Sequence, residues 1–315
     1  MKMSVVIPTY RRPQDLQRCL EAIGEQTRSP DEVLVVVRDS DRQTWQFLET
    51  HSFPNLPLRT VTVSVTGVVA AMNAGLEAMT GDTVSFTDDD AAPHKDWLAR
   101  IEAYFQADRA IGGIGGKDWV YHGSELEAGS RETVGKLQWF GRAIGNHHIG
   151  VGRVREVDIL KGVNMSFRRT AIEAMRFDTR MRGTGAQVHF ELAFSLKLKE
   201  AGWKLIYDPQ IAVDHHRGER YDEDQRDRLN ELALANAVHN ETLVLLEHLS
   251  PLQKIVFLIW AVLVGTRKSM GLLQWLRFLP SQGLLANKRW WATMRGRWLG
   301  LTGWLNSGLR SEKAV

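Results

Sequence analysis

Cysteine is almost absent from this 315-residue sequence, which holds only Cys19. That excludes a disulfide framework and a cysteine-held metal. With Leu16, Leu20 and Ile23 it follows the three-and-four spacing of a helix's buried face, so it reads as a small core hydrophobe. A long apolar run is missing too: Ile255 to Val264 is uninterrupted but bounded by Lys254 and Arg267, short of the roughly 20 residues of a conventional spanning helix. The opening run Met3-Ser4-Val5-Val6-Ile7 has no small-residue cleavage site behind it, so the expectation is a cytoplasmic chain. The turn after it, Pro8-Thr9-Tyr10-Arg11-Arg12, contains no glycine, and the cluster Gly112-Gly113-Ile114-Gly115-Gly116 has the wrong spacing and no helix behind it. Both observations argue against a dinucleotide fingerprint, and no Walker-type loop is present. Acid is scarce in one stretch. Residues 251–315 hold one, Glu312, against ten Lys/Arg, leaving 36 acidic and 30 basic residues before them. A mildly acidic body thus carries a strongly basic tail, which also holds six of the eleven tryptophans.

What is present begins with ordinary globular composition, 43% hydrophobic and 24% charged, and enough length to bury a proper core. Short β-branched runs alternate with helical patterns over the first 90 or so residues: strands at Val5–Ile7, Val33–Val37, Thr60–Val63 and Thr83–Phe86, and helices through Leu16 to Ile23, around 43–49 and over 68–79. That alternation predicts a mainly parallel sheet with helices on both faces, and ligands in such sheets bind beyond the carboxyl ends of the strands. Residues 112–169 are looser, one more strand or two with long loops. A helix is expected over 187–201, a strand at Lys204–Tyr207 and a charged helical stretch over 222–249. The expected organisation is a domain over 1–220, a helical connector over 221–250 and a helical tail over 251–315.

Chemistry is sought at the strand ends. The fourth strand ends in Asp88-Asp89-Asp90. Three adjacent carboxylates repel one another, and a hard divalent cation relieves that repulsion; the alternative is that they cap the following helix and face water. The order of several motifs decides between the two. Val5 to Tyr10, the strand end at Asp39, Asn73-Ala74-Gly75, Phe86 to Asp90 with Pro93 and Trp97-Leu98, Lys161 to Arg168, Asp208-Pro209 and Val213-Asp214-His215 together resemble family 2 of the glycosyltransferases, of the rhamnosyltransferase-like, polysaccharide-biosynthesis type. The resemblance covers about the first 220 residues and implies the inverting, Rossmann-like GT-A fold, a mainly parallel α/β sheet flanked by helices.

The resemblance implies roles by position. Pro8, Thr9, Tyr10, Asp39, Asn73, Asp88 and Asp89 would hold the nucleotide of a nucleotide-diphosphate sugar. Asp88 and Asp90, with His215 as third ligand, would hold Mn²⁺ or Mg²⁺. Gly162 and Asn164 would line the acceptor side. Relatives carry an acidic pair before the base-bearing helix; here Val188-His189 replace it. Glu191 is therefore the first candidate for the general base and His189 the second. The plain alternatives are a turn residue for Asp39, a structural histidine for His215 and a favourable charge at a helix N-terminus for Glu191. His147-His148 are given no catalytic role.

In the tail, Trp291, Met294, Trp298, Leu301 and Leu305 recur at helical spacing, flanked by Lys288, Arg289 and Arg297. Tryptophan suits headgroup depth and basic residues suit an anionic leaflet, so a peripheral helical hairpin on the cytoplasmic face is expected. A protein-binding surface is the competing reading; nucleic acid is not expected, for no recognisable module accompanies the charge. The activity implied is sugar transfer to a glycan or lipid-linked acceptor in surface polysaccharide assembly. The alternatives are a catalytically degenerate membrane scaffold of the same fold, and a sugar-phosphate nucleotidyltransferase, which the glycine-free first turn disfavours.

Overall fold

The computed structural model describes residues 1–225 and 228–312. In chain order its elements are β1 (Met3–Thr9), α1 (Pro13–Gly24), β2 (Glu32–Arg38), α2 (Arg42–Thr50), β3 (Leu58–Val63), α3 (Val68–Ala78), β4 (Thr83–Phe86), β5 (Ala91–Pro93), α4 (Trp97–Ala107) and β6 (Ile111–His122). There follow β7 (Glu125–Leu126), β8 (Lys136–Leu137), β9 (Ala143–Ile144), β10 (Arg155–Glu156), β11 (Met165–Arg168), α5 (Arg169–Ile172), α6 (Phe190–Glu200) and β12 (Lys204–His216). Four longer helices complete the order: α7 (Glu231–His248), α8 (Pro251–Leu263), α9 (Leu272–Gln282) and α10 (Leu284–Glu312).

The chain divides into two compact units. The first takes 1–136, 144–179 and 194–219; the second takes 137–143, 180–193 and the chain from 220 onward.

The first unit is built on one mixed sheet, ordered β10-β12-β6-β11-β4-β1-β2-β3. Neighbours from β4 through β1 and β2 to β3 are parallel, as are β6 and β12, while β11 runs antiparallel between β4 and β6. The expected mainly parallel α/β sheet is therefore present. β1 is buried at every position, as a strand covered on both faces must be. Pro13 stands in the first turn of α1, where its missing N–H is not needed, and the helix buries Leu16, Cys19, Leu20 and Ile23, the face its spacing predicts.

The glycine cluster at 112–116 lies inside β6, a buried strand of 12 residues, rather than in a loose segment. The glycines there accommodate backbone crowding. A Cβ on Gly116 would stand 1.8 Å from the Ile211 carbonyl oxygen, and one on Gly115 2.4 Å from that of Asn164.

Two helix starts differ from the periodicity. α6 begins at Phe190, after Gln187 and His189, whose φ angles of +40° and +78° end any helical run. α7 begins at Glu231, where the Asn230 side chain accepts hydrogen bonds from the N–H groups of Leu232 and Ala233.

In the second unit α7 packs along α10 through glycine. Cβ atoms added to Gly296 and Gly300 would meet Ala235 and Thr242 of α7 at 2.6 Å, so only glycine lets the backbones come this close. The basic end of the chain holds three helices rather than a hairpin, and Arg297 does not flank an exposed stripe as expected. It is buried, its Nη1 placed 2.8 Å from Glu241 and 2.9 Å from the Thr242 hydroxyl, because it lies one residue from the glycine contact with α7. Among the described residues no helix is long and apolar enough to cross a membrane.

Candidate active site

The carboxyl ends of neighbouring parallel strands β1 and β4 bring the turn after Thr9 beside Asp88-Asp89-Asp90. β5 follows the aspartates directly and pairs with β12, so that His215 stands opposite Ala91, next in sequence to Asp90. β12 also pairs with β6, setting His215 opposite Val120. Asp118 lies two residues from Val120 and so shares its face of the sheet, next to the His215 ring.

The distances define a charged, nearly dry cluster. Arg12 reaches Asp89 at 2.6 Å and Asp90 at 2.9 Å, and the Gly218 N–H donates to Asp90 at 2.8 Å. His215 Nε2 is 3.4 Å from Asp90 and Nδ1 is 3.6 Å from Asp118, which is itself paired with Lys161 at 2.5 Å. Asp89, Asp90, Asp118 and His215 are all buried.

Electrostatics follow from that crowding. Burial pushes the Asp89 carboxyl up to about 7 despite Arg12 beside it. Burial also opposes the charge on Asp90, but the His215 hydrogen bond and Arg12 outweigh it and hold the carboxyl well below the usual range. His215 moves the other way. Burial lowers it, yet Asp118 and Asp90 raise it to about 9; a ligated metal would take the place of that proton, since only the neutral ring can bind one.

This donor set fits a divalent cation. Asp88, Asp90 and His215 each offer one ligand atom, and these atoms lie within 4.8 Å of one another. Two carboxylates and an imidazole are the ligand types that a divalent cation takes. Asp118 lies 3.6 Å from the far ring nitrogen of His215, where it would orient the ring were a metal held on the other nitrogen.

The remaining expected residues fall in several places. Pro8 and Thr9 end β1, and Thr9 is buried. Tyr10 lies under two cations, Arg38 at 4.2 Å and Arg11 at 5.1 Å from its ring centre. Asp39 is exposed in the turn after β2, its N–H bonded to Val63. Asn73 is bonded on both sides of its amide to the backbone of Phe177, at 2.8 and 2.9 Å, and so ties α3 to that segment. Gly162 sits in the buried turn before β11. The Asn164 amide faces the core, accepting from Trp97 Nε1 and donating to the carbonyls of Lys117 and Ile211. Its side chain is 1% exposed, so whatever it contributes to an acceptor site it contributes through the backbone it holds.

Glu191 occupies the first turn of α6, and its Oε2 is buried without a hydrogen-bond partner among the described residues. His189 stands two residues earlier in left-handed backbone, its carbonyl accepting the Ala193 N–H. Both lie in the second unit, the acidic cluster in the first. His147 is buried, bonded through Nε2 to the Ile159 carbonyl, and edge-on to Tyr207, a core histidine.

Sequence reasoning did not single out Arg12, Asp41, Asp118 or Lys161. Asp41 caps α2 through Thr44 and accepts the N–H of Arg11 at 2.6 Å, holding that residue at φ +59° beside the site. The Asp-x-x-Thr cap was legible in sequence. The register that sets Asp118 beside His215 was not.

Comparison with known proteins gives a consistent picture. Residues 4–174 match the profile described as Glycosyl transferase family 2. Glycosyltransferase AglE of Haloferax volcanii is 36% identical over 102 residues, 31% of this chain and 33% of that protein. An uncharacterized glycosyltransferase, YwdF of Bacillus subtilis, is 36% identical over 91 residues, 29% of this chain and 33% of that protein. Each alignment thus spans about a third of the relative's length. Among solved structures, S. aureus TarS 1-349 in complex with UDP-GlcNAc has a TM-score of 0.61 at 16% identity, over 92% of this chain and 78% of that one. The mannosyltransferase PcManGT from Pyrobaculum calidifontis, in complex with GDP-Man and Mn²⁺, has a TM-score of 0.55 at 19% identity, over 96% and 87%. At these identities the likeness is one of fold.

Proposed function

This chain belongs to glycosyl transferase family 2, and from that premise we propose that it is an inverting, metal-dependent transferase moving a sugar from a nucleotide diphosphate to an acceptor hydroxyl. The observation that carries the metal-dependent part is the convergence of Asp88, Asp90 and His215 at the sheet's carboxyl edge. GDP-Man with Mn²⁺ in PcManGT and UDP-GlcNAc in TarS support the same donor class.

Mn²⁺ or Mg²⁺ held by these three residues would act as a Lewis acid on the diphosphate leaving group. Arg12 keeps Asp89 and Asp90 in place, and Asp118 fixes the ring of His215. Thr9, Tyr10, Asp39 and Asp88 face the nucleotide in this reading, around the turns that follow β1, β2 and β4. Glu191 takes the proton of the acceptor hydroxyl, with His189 as second candidate, as that oxygen bonds to the anomeric carbon. The bond from that carbon to the phosphate oxygen breaks, and its electron pair leaves with the nucleotide. One displacement inverts the configuration.

The acceptor is a glycan or lipid-linked glycan of a surface polysaccharide, reached from the cytoplasmic face of a membrane. What supports this is the surface of α8 and α10. α8 exposes Leu252, Ile255 and Ile259, and α10 exposes Trp291, Trp298 and Leu305 at seven-residue spacing, with Lys288 and Arg295 also exposed. Apolar and aromatic side chains rimmed by cations match an interfacial helix on an anionic leaflet.

The test is nucleotide release from a panel of nucleotide sugars with membrane-extract acceptors, repeated with chelator and with Asp90→Asn. Release that requires acceptor, metal and Asp90 supports the proposal and names the donor. No release together with undetectable donor binding favours the degenerate scaffold, binding without release points to a missing acceptor, and release that ignores chelator removes the metal from the mechanism.

A further inference from the structure

A side chain of α7 bonds the turn that carries both base candidates. Asn240, on α7, is fully buried. Its amide oxygen accepts the Arg182 N–H at 2.8 Å and faces His239 Nδ1 at 3.0 Å. Its amide nitrogen donates to the carbonyls of Arg182 and Val188, both at 3.0 Å. The two backbone carbonyls and the backbone N–H fix which way the amide points, so all four of its hydrogen-bonding positions are used. Val188 lies between Gln187 and His189, whose φ angles of +40° and +78° side chains rarely adopt. Such backbone persists only where its surroundings over-determine it. Here a bond from Asn240 falls on the residue between the two strained positions, one residue before His189 and three before Glu191.

Asn240 is backed by a mostly buried ion pair. Its neighbour Glu241 pairs with Arg297 of α10 at 2.8 Å, and the same guanidinium reaches Thr242. Burial opposes the charge of Glu241, and Arg297 and then His189 outweigh it, holding its carboxyl below the usual range. Gly296 and Gly300 let α10 close against α7 on both sides of that pair. Residues 180–193 and the helices α7 and α10 belong to one compact unit, so the clamp and the turn it holds share that unit.

We propose that Asn240 is a positioning residue for the transfer step: it holds the Val188–Glu191 turn so that the acceptor's base is presented in one place. It touches neither donor nor acceptor. The inference rests on the reading that Glu191 or His189 takes the acceptor proton.

Asn240→Asp and Asn240→Ala test it in the full-length protein. Asp keeps the shape and the acceptor but loses both donors. The expected result is a 10- to 100-fold fall in kcat for transfer, as a misplacement of about 1 Å produces. The donor's KM and the Kd of free UDP or GDP should stay within threefold, and amide exchange should quicken in 182–193 but not in β1 or β4. Unchanged kcat, or donor affinity falling in step with the rate, overturns the proposal. Should Asn240→Ala fail to fold, Asn240→Asp decides alone. If the wild-type chain releases nucleotide from no donor, the transferase reading falls separately. Exchange then judges the clamp, and unchanged exchange over 182–193 in Asn240→Asp overturns it.

Discussion

Asp118 and His215 stand side by side on parallel strands, Oδ2 lying 3.6 Å from Nδ1, so the ring's other nitrogen is aimed at Asp90, 3.4 Å away. A carboxylate behind a ligating histidine fixes its tautomer and orientation, and losing such a partner typically costs 10- to 100-fold in metal affinity. Asp118→Asn should therefore weaken Mn²⁺ binding by about that factor, measured by calorimetry or by the paramagnetic signal of free Mn²⁺. An affinity within twofold of wild type would leave Asp118 a partner of Lys161 and nothing more.

Arg12 sets a guanidinium against Asp89 and Asp90 without a metal. Removing one partner of a buried charged group costs about 3–5 kcal/mol, because the other is left uncompensated. Arg12→Met should lower stability by about 3 kcal/mol, since protonation of Asp89 blunts the loss. Saturating Mn²⁺ binds the folded state and should restore part of it. Thermal melts with and without Mn²⁺ check this, and an equal loss in both would sever Arg12 from the metal site.

The pH dependence of stability should report His147. Burial lowers its pKa to about 4 from an ordinary 6.5. The unfolded chain binds this proton first as pH falls, so the contribution is complete above about 6.5 and is lost progressively down to about 4. The full loss is about 3 kcal/mol. Denaturant titrations from pH 7 to 4 should show a shallower decline in His147→Gln than in wild type. The same slope in both would mean that other groups set the acid limb.

Trp291 and Trp298 are each 65% exposed on α10. If they meet lipid, Trp291→Ser with Trp298→Ser should cut binding to anionic phospholipid vesicles at least tenfold while leaving the melting temperature within a degree or two, since exposed changes are near-neutral for stability. Raising salt should weaken the wild-type interaction, because the basic residues act through a screened field. Binding to neutral and anionic vesicles alike would remove the cations from the account, and binding to neither would point to a protein partner for this face.

Much of this was legible along the chain. The three-and-four spacing of Leu16, Cys19, Leu20 and Ile23, and the unbroken burial of Val33 to Val37, follow from periods that local geometry imposes. Asp88-Asp89-Asp90 announced itself because adjacent like charges after an apolar strand require a reason. The glycine cluster was harder to place. A strand or two was expected somewhere in 112–169, and crowding by Ile211 and Asn164 explains why the strand that forms there needs residues without Cβ.

Local pattern was enough for the early strands and helices, the family resemblance and the acidic strand end, since each depends on residues close together in the chain. Tertiary structure alone decided which distant groups meet. Asp118 joins His215 through the register of β6 on β12, Arg12 joins Asp90 through β1 beside β4, and Arg297 leaves the surface because glycines draw α10 onto α7. Periodicity fixes which face a side chain occupies, but only pairing and packing across long separations fix what stands opposite it.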